Sequence, residues 1–322
     1  MSNTGIKIRI LCAALVLAAV CSALAGCAAT GGPESGKPSV VVTVFPIYDW
    51  VRQIAGDKVD ITLLLDKGID LHSYQPTAED VVTISTADLF ICVGGASDFW
   101  VSDVISRANG DVVSLDLIES LGDRVKEEEL KEGMQAENEE EDGAEYDEHI
   151  WLSLKNASLL CGVITEKLCE ADPGDADLFR KSCEKYKEEL DALDGEYEKT
   201  VAGSRFKTVL FGDRYPFRYL TDDYGIDYYA AYAGCSAESE ASFETVAFLA
   251  AKVDELDLPA IMQIETSDGR LARTVRDATE DKDQKILTLD SMQSSVKDDV
   301  DGGKSYLETM KKNLEVLKEA LN

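Results

Sequence analysis

Ser39-Val40-Val41-Val42-Thr43-Val44-Phe45 is a β-branched run in which apolar and polar positions do not alternate. A strand of this kind must be buried on both faces, as happens in a parallel sheet covered by helices. Pro46 ends the run, and apolar residues then recur at helical spacing to residue 55. Further strands are predicted at residues 60–65, 88–93 and 112–115, with helices opening at Thr77 and covering 97–108. Thr77 and Asp80 have the spacing of a capping box.

The second half repeats the pattern. Strands are predicted at 207–212, 226–230, 260–264 and 285–289, with helices at 216–224, 242–255, 267–279 and 303–321. Gly225 is a helix stop. Tyr306, Met310, Leu314 and Leu317 mark the buried face of the last helix. Between the halves lie a helix at 156–170 and a longer one at 175–200. The fold class is therefore α/β: two α/β lobes with mainly parallel sheets joined by a long helix. The division expected is a first lobe at 39–173, a connecting helix at 174–203 and a second lobe at 204–322. Residues 126–148, with Glu127-Glu128-Glu129 and an acidic run at 137–142, read as a solvated, mobile loop inside the first lobe.

Residues 1–26 have the layout of a secretory signal peptide. Lys7 and Arg9 precede an apolar stretch, and Leu24-Ala25-Gly26-Cys27 resembles a bacterial lipobox. That resemblance implies acylation of Cys27, which anchors the protein outside the cell membrane through a Gly-rich tether at 27–38. The formal charge of −30 excludes nucleic acid and anionic substrates as natural partners. Past Cys27 the cysteines are Cys92, Cys161, Cys169, Cys183 and Cys235, an odd number without a CxxC pair. Zinc-finger spacing is absent and a disulfide framework is not indicated, with a single disulfide left open, and Cys92 reads as a small core residue.

The chain has only two histidines, His72 and His149, each with an acid within two residues before it. In open α/β sheets ligands bind beyond the carboxyl ends of the strands. Beyond the predicted strand ends stand His72, Asp213, Glu265 and Asp290, while His149 follows the acidic loop. Two imidazoles facing carboxylates suit a first-row divalent ion. Tyr48, Trp50, Trp100 and Trp151 read as cleft walls or core.

Several motifs carry a family resemblance. They are Asp70-Leu71-His72-Ser73-Tyr74-Gln75-Pro76-Thr77, Asp147-Glu148-His149-Ile150-Trp151-Leu152, Leu289-Asp290-Ser291-Met292, Gly303-Lys304-Ser305-Tyr306-Leu307 and Asn313-Leu314-Glu315. From residue 39 to the C-terminus the chain resembles the cluster A-I metal-binding lipoproteins of bacterial zinc and manganese ABC importers. The resemblance implies a rigid connecting helix and one metal between the lobes, held by His72, His149 and Asp290. The family usually has His or Glu after the strand ending here at Gly212, where this chain has Asp213-Arg214-Tyr215. Asp213 is the expected further ligand, with Cys235 and Glu265 as alternatives and helix capping as its ordinary role.

The expected function is capture of zinc, or next manganese, and its delivery to an ABC permease by a monomeric binding protein that is not an enzyme. A zinc-dependent hydrolase is the alternative, although no HExxH motif is present. A cell-adhesion protein with a structural metal is a third reading.

Overall fold

The computed structural model describes residues 36–322, except 67, 69–70, 109–111, 136–145 and 235–240. Its first lobe runs β1 (Ser39–Val42), α1 (Phe45–Ala55), β2 (Asp60–Leu63), α2 (Ala78–Ser85), β3 (Leu89–Cys92), α3 (Val101–Arg107), β4 (Val113–Asp116) and α4 (Leu117–Leu121). Its four strands are all parallel, in the order β2-β1-β3-β4. Val40, Val41 and Val42 are buried at the centre of this sheet, as the unbroken apolar run requires. The expected capping box opens α2: the Asp80 N–H donates to Thr77 Oγ1 and the Thr77 N–H donates to Asp80 Oδ2.

Two helices follow, α5 (Leu154–Ala171) and α6 (Ala176–Gly203). With 28 residues, α6 is about 42 Å long. Phe179, Cys183, Tyr186, Leu190, Leu193, Tyr197 and Val201 form its buried stripe. The helix touches α1 and α5 along the first lobe, and the Tyr197 hydroxyl donates to Met310 O in the second.

The second lobe runs β5 (Thr208–Tyr215), α7 (Arg218–Tyr224), β6 (Asp227–Ala233), α8 (Phe243–Leu256), β7 (Ala260–Ile264), α9 (Arg270–Ala278), β8 (Lys285–Leu289), α10 (Lys297–Asp301) and α11 (Tyr306–Ala320). Its parallel strands are ordered β6-β5-β7-β8. Gly225 ends α7 in the left-handed region, at φ 65°. The four apolar residues expected on the last helix are buried in α11.

Two expectations need correction. First, β5 does not stop at Gly212 but continues to Tyr215. Glycine is needed there because a Cβ would lie 2.6 Å from the Ala272 Cα of α9, which crosses directly over the strand. Second, the described part of residues 126–148 is not a free loop. Glu127 bridges Tyr146, Gln135 bridges Tyr232 beside β6, and the Gln135 N–H donates to Ala231 O. Lys126 pairs with Asp222, Lys131 with Asp227 and Arg218 with Glu129, so basic partners offset the acidic composition and fasten the segment to the second lobe. Its acidic run at 137–142 lies outside the described residues. Trp50, Trp100 and Trp151 are core residues, one of the two places expected for them.

Cys92, Cys161, Cys169 and Cys183 are buried free thiols. The predicted signal peptide, Cys27 and Cys235 lie outside the described residues.

Candidate metal centre

His72 stands on a single helical turn at Leu71–Ser73, anchored by the buried Leu71. Its Nδ1 is 2.8 Å from Ser97 Oγ and 3.5 Å from Glu148 Oε2. Ser97 follows Gly94 and Gly95, whose φ angles are +88° and +85°. A Cβ on Gly95 would lie 2.5 Å from Glu148 Oε1, so glycine lets the carboxylate reach the loop, where it accepts the Ser97 N–H at 2.7 Å. Asp70, the acid nearest His72 in sequence, lies outside the described residues. The carboxylate that faces the ring is Glu148, from the other histidine's motif.

His149 is fully buried. Asp147 Oδ1 accepts the His149 backbone N–H at 2.8 Å and lies 2.9 Å from its Nδ1. The turn that carries it is tied to the second lobe. The Tyr219 hydroxyl donates to Asp147 O, the Trp151 indole donates to Ser291 O and the Tyr306 hydroxyl donates to Trp151 O.

The two rings are 5.5 Å apart between centroids and tilted by 51°. Two imidazoles bound to one ion through Nε2, at about 2.0–2.1 Å and a tetrahedral angle, would have centroids roughly 5 Å apart. In each ring Nδ1 lies against a protein oxygen. Histidines held through Nδ1 in this way ligate metals through Nε2.

The carboxylates expected at the site are occupied within the second lobe. Asp213 lies inside β5, where the pairing with β6 shifts register between Phe211 and Arg214. Its Oδ2 accepts the Ile264 N–H at 3.3 Å and its Oδ1 accepts the Arg214 N–H at 2.9 Å. It therefore locks a bulge to β7 instead of capping the next helix. Asp290 follows β8, with Oδ1 accepting the Met292 N–H and Oδ2 2.9 Å from Lys304 Nζ. Glu265 accepts from Ser291 N–H and Oγ and from Ser294 Oγ, so it fastens the loop beyond Asp290. Burial, then the neighbouring Asp290 charge, pushes the Glu265 carboxyl up. Among the described residues no three His, Cys, Asp or Glu side chains converge as a ready ion cage. The structure thus brings His72 and His149 together and leaves Asp213 and Asp290 on partners of their own.

Sequence reasoning missed Ser97, the role of Glu148 and the contact of Lys304. Each acts through a partner distant in the chain, and the glycine pair before Ser97 was the only local sign. Asp98, next to Ser97, is 5% exposed; its Oδ2 accepts the Gly94 N–H and its Oδ1 has no hydrogen-bond partner. Burial, with smaller contributions from Glu148 and Asp116, pushes its carboxyl up to about 7, against the pull of the Gly94 N–H. A raised folded pKa means that Asp98 costs nothing below the ordinary carboxylate range and costs progressively more as pH rises to about 7. Asp98→Asn should match the wild type near pH 4 and exceed it by ~1–3 kcal/mol above pH 7 in urea denaturation. A difference that does not change with pH would refute this.

The zinc-uptake complex component A (periplasmic) family matches residues 40–320. The zinc-binding lipoprotein AdcA of Streptococcus pneumoniae serotype 4 is 29% identical over 307 residues, covering 95% of this chain and 60% of that protein. The chain thus spans less than two thirds of AdcA. The high-affinity zinc uptake system protein ZnuA of Bacillus subtilis is 29% identical over 325 residues, covering 99% of this chain and 97% of that protein. The crystal structure of the Zn(II)-bound ZnuA-like domain of Streptococcus pneumoniae AdcA superposes with a TM-score of 0.71 at 28% identity, covering 89% of this chain and 99% of that one.

Proposed function

The chain belongs to the zinc-uptake complex component A family, and on that premise we propose that it captures zinc outside the cell membrane and delivers it to an ABC permease. Zinc is the cargo, and no reaction is performed on it. The observation that carries this reading is the approach of the chain's only two histidine rings to 5.5 Å, each held through Nδ1. His72 and His149 supply neutral nitrogens. Asp290 supplies a carboxylate from the opposite lobe, and Asp213 is the further candidate. Mixed nitrogen and oxygen ligands bind zinc more tightly than manganese in the general affinity order. The similarity to AdcA and to B. subtilis ZnuA supports zinc as cargo. Cys27 is the proposed lipid anchor, and the working form is a monomer.

The test is a competition titration of the mature chain with zinc and manganese, paired with thermal unfolding and esterase and peptidase assays. One tightly bound zinc per chain, weaker manganese and no turnover are expected. Zinc at 1,000-fold over its Kd should add about 4 kcal/mol of stability. Absence of tight one-to-one binding, or turnover abolished by chelator, would overturn the proposal.

A further inference from the structure

The Asp290 carboxylate is held on nearly every side. The Asn313 amide takes both its backbone groups, with the Asp290 N–H donating to Oδ1 at 2.9 Å and Nδ2 donating to Asp290 O at 2.8 Å. Oδ1 accepts the Met292 N–H at 2.8 Å. The remaining oxygen, Oδ2, carries the Lys304 ammonium at 2.9 Å. The carboxylate oxygen not taken by a backbone N–H therefore already has a cation on it.

Lys304 is itself confined. Its N–H donates to Asp299 O, and its carbonyl accepts from Arg52 Nη2 at 3.3 Å. Two residues on, the Tyr306 N–H donates to the buried Asp49 carboxylate at 2.8 Å. The ammonium lies 5.6 Å from the centre of the Phe45 ring. The side chains of Lys304 and Asp290 are only 21% and 28% exposed, so water screens the pair far less than a surface ion pair.

We propose that Lys304 is a built-in competitor for the cargo: its ammonium occupies Asp290 Oδ2 and must leave when zinc takes that oxygen. The inference rests on the reading of Asp290 as a zinc ligand. Binding then becomes an exchange of one cation for another. While the ammonium is in place it offsets the mutual repulsion of Asp290 and the half-buried Glu265. During release it supplies the cation that reclaims the carboxylate. Affinity is thereby held below what the ligands alone would give, which suits a protein that must surrender its ion.

The experiment compares Lys304→Met, Lys304→Gln, Lys304→Arg and Asp290→Asn in the full mature chain. It measures zinc affinity by chelator competition and thermal unfolding in excess chelator. Lys304→Met and Lys304→Gln should each bind zinc ~10-fold more tightly, about 1.4 kcal/mol, yet unfold at lower temperature in chelator. Lys304→Arg should restore both values towards wild type. Zinc affinity unchanged or weakened in both neutral variants, with Asp290→Asn weakened, would overturn the role of Lys304 and leave the ligand intact. Zinc affinity unchanged in Asp290→Asn would instead remove the premise, and the inference with it.

Discussion

Replacing His149 by alanine is expected to weaken zinc binding at least ~10-fold, about 1.4 kcal/mol, and also to destabilise the chelated protein by ~2–4 kcal/mol. His72→Ala should weaken binding by a similar factor and leave stability nearly unchanged. The difference follows from where the rings sit. His149 is fully buried, packs edge-on against Trp151 at 5.4 Å, and has Asp147 Oδ1 beside its Nδ1. Its removal opens a cavity at a turn tied to the second lobe through Tyr219, Ser291 and Tyr306, and it takes a partner from a buried carboxylate. The His72 side chain is 28% exposed and stands on a single helical turn. Urea denaturation in excess chelator measures the stability difference, and chelator competition measures affinity. Equal stability losses would contradict the asymmetry. Unchanged zinc affinity in either variant would remove that residue from the proposed site.

Much of the architecture was legible because it rests on local rules. Val40 to Val42 had to be buried on both faces, and the Thr77–Asp80 pair and Gly225 mark helix ends by side-chain chemistry alone. The histidines were legible because the chain has only two. What could not be read depends on partners far along the chain. The charge of Glu127, Glu128 and Glu129 suggested solvent, but Lys131 reaches Asp227 and Arg218 reaches Glu129 across the two lobes. Asp290 was found from its place after a strand, whereas nothing near it in sequence signals Lys304 on its free oxygen. Asp213 was placed by the assumption that a glycine ends a strand. Position 212 is glycine for another reason, the closeness of α9.

That reason gives the largest expected effect on the fold itself. Gly212→Val should destabilise the protein by ~3 kcal/mol or more, and Gly212→Ala by somewhat less. The nearest atom to an added Cβ is the backbone Ala272 Cα at 2.6 Å, followed by Ala272 Cβ and the backbone N, each at 3.1 Å. A side chain could rotate away, but α9 can yield only by lifting from the sheet, which would expose Ala272 and Val275, both fully buried. Trimming the opposing residue should not help, because the Cα that blocks the site remains in glycine. Ala272→Gly added to Gly212→Ala should therefore recover little of the loss in urea denaturation. Full recovery would show that the Ala272 methyl, at 3.1 Å, is the true obstacle. The disturbance should also reach the next residue. Asp213 joins β5 to the Ile264 N–H of β7, so faster amide exchange at Ile264 should accompany the stability loss in Gly212→Ala. An Ile264 amide as protected as in the wild type would show that the strand absorbs the added methyl without moving its bulge.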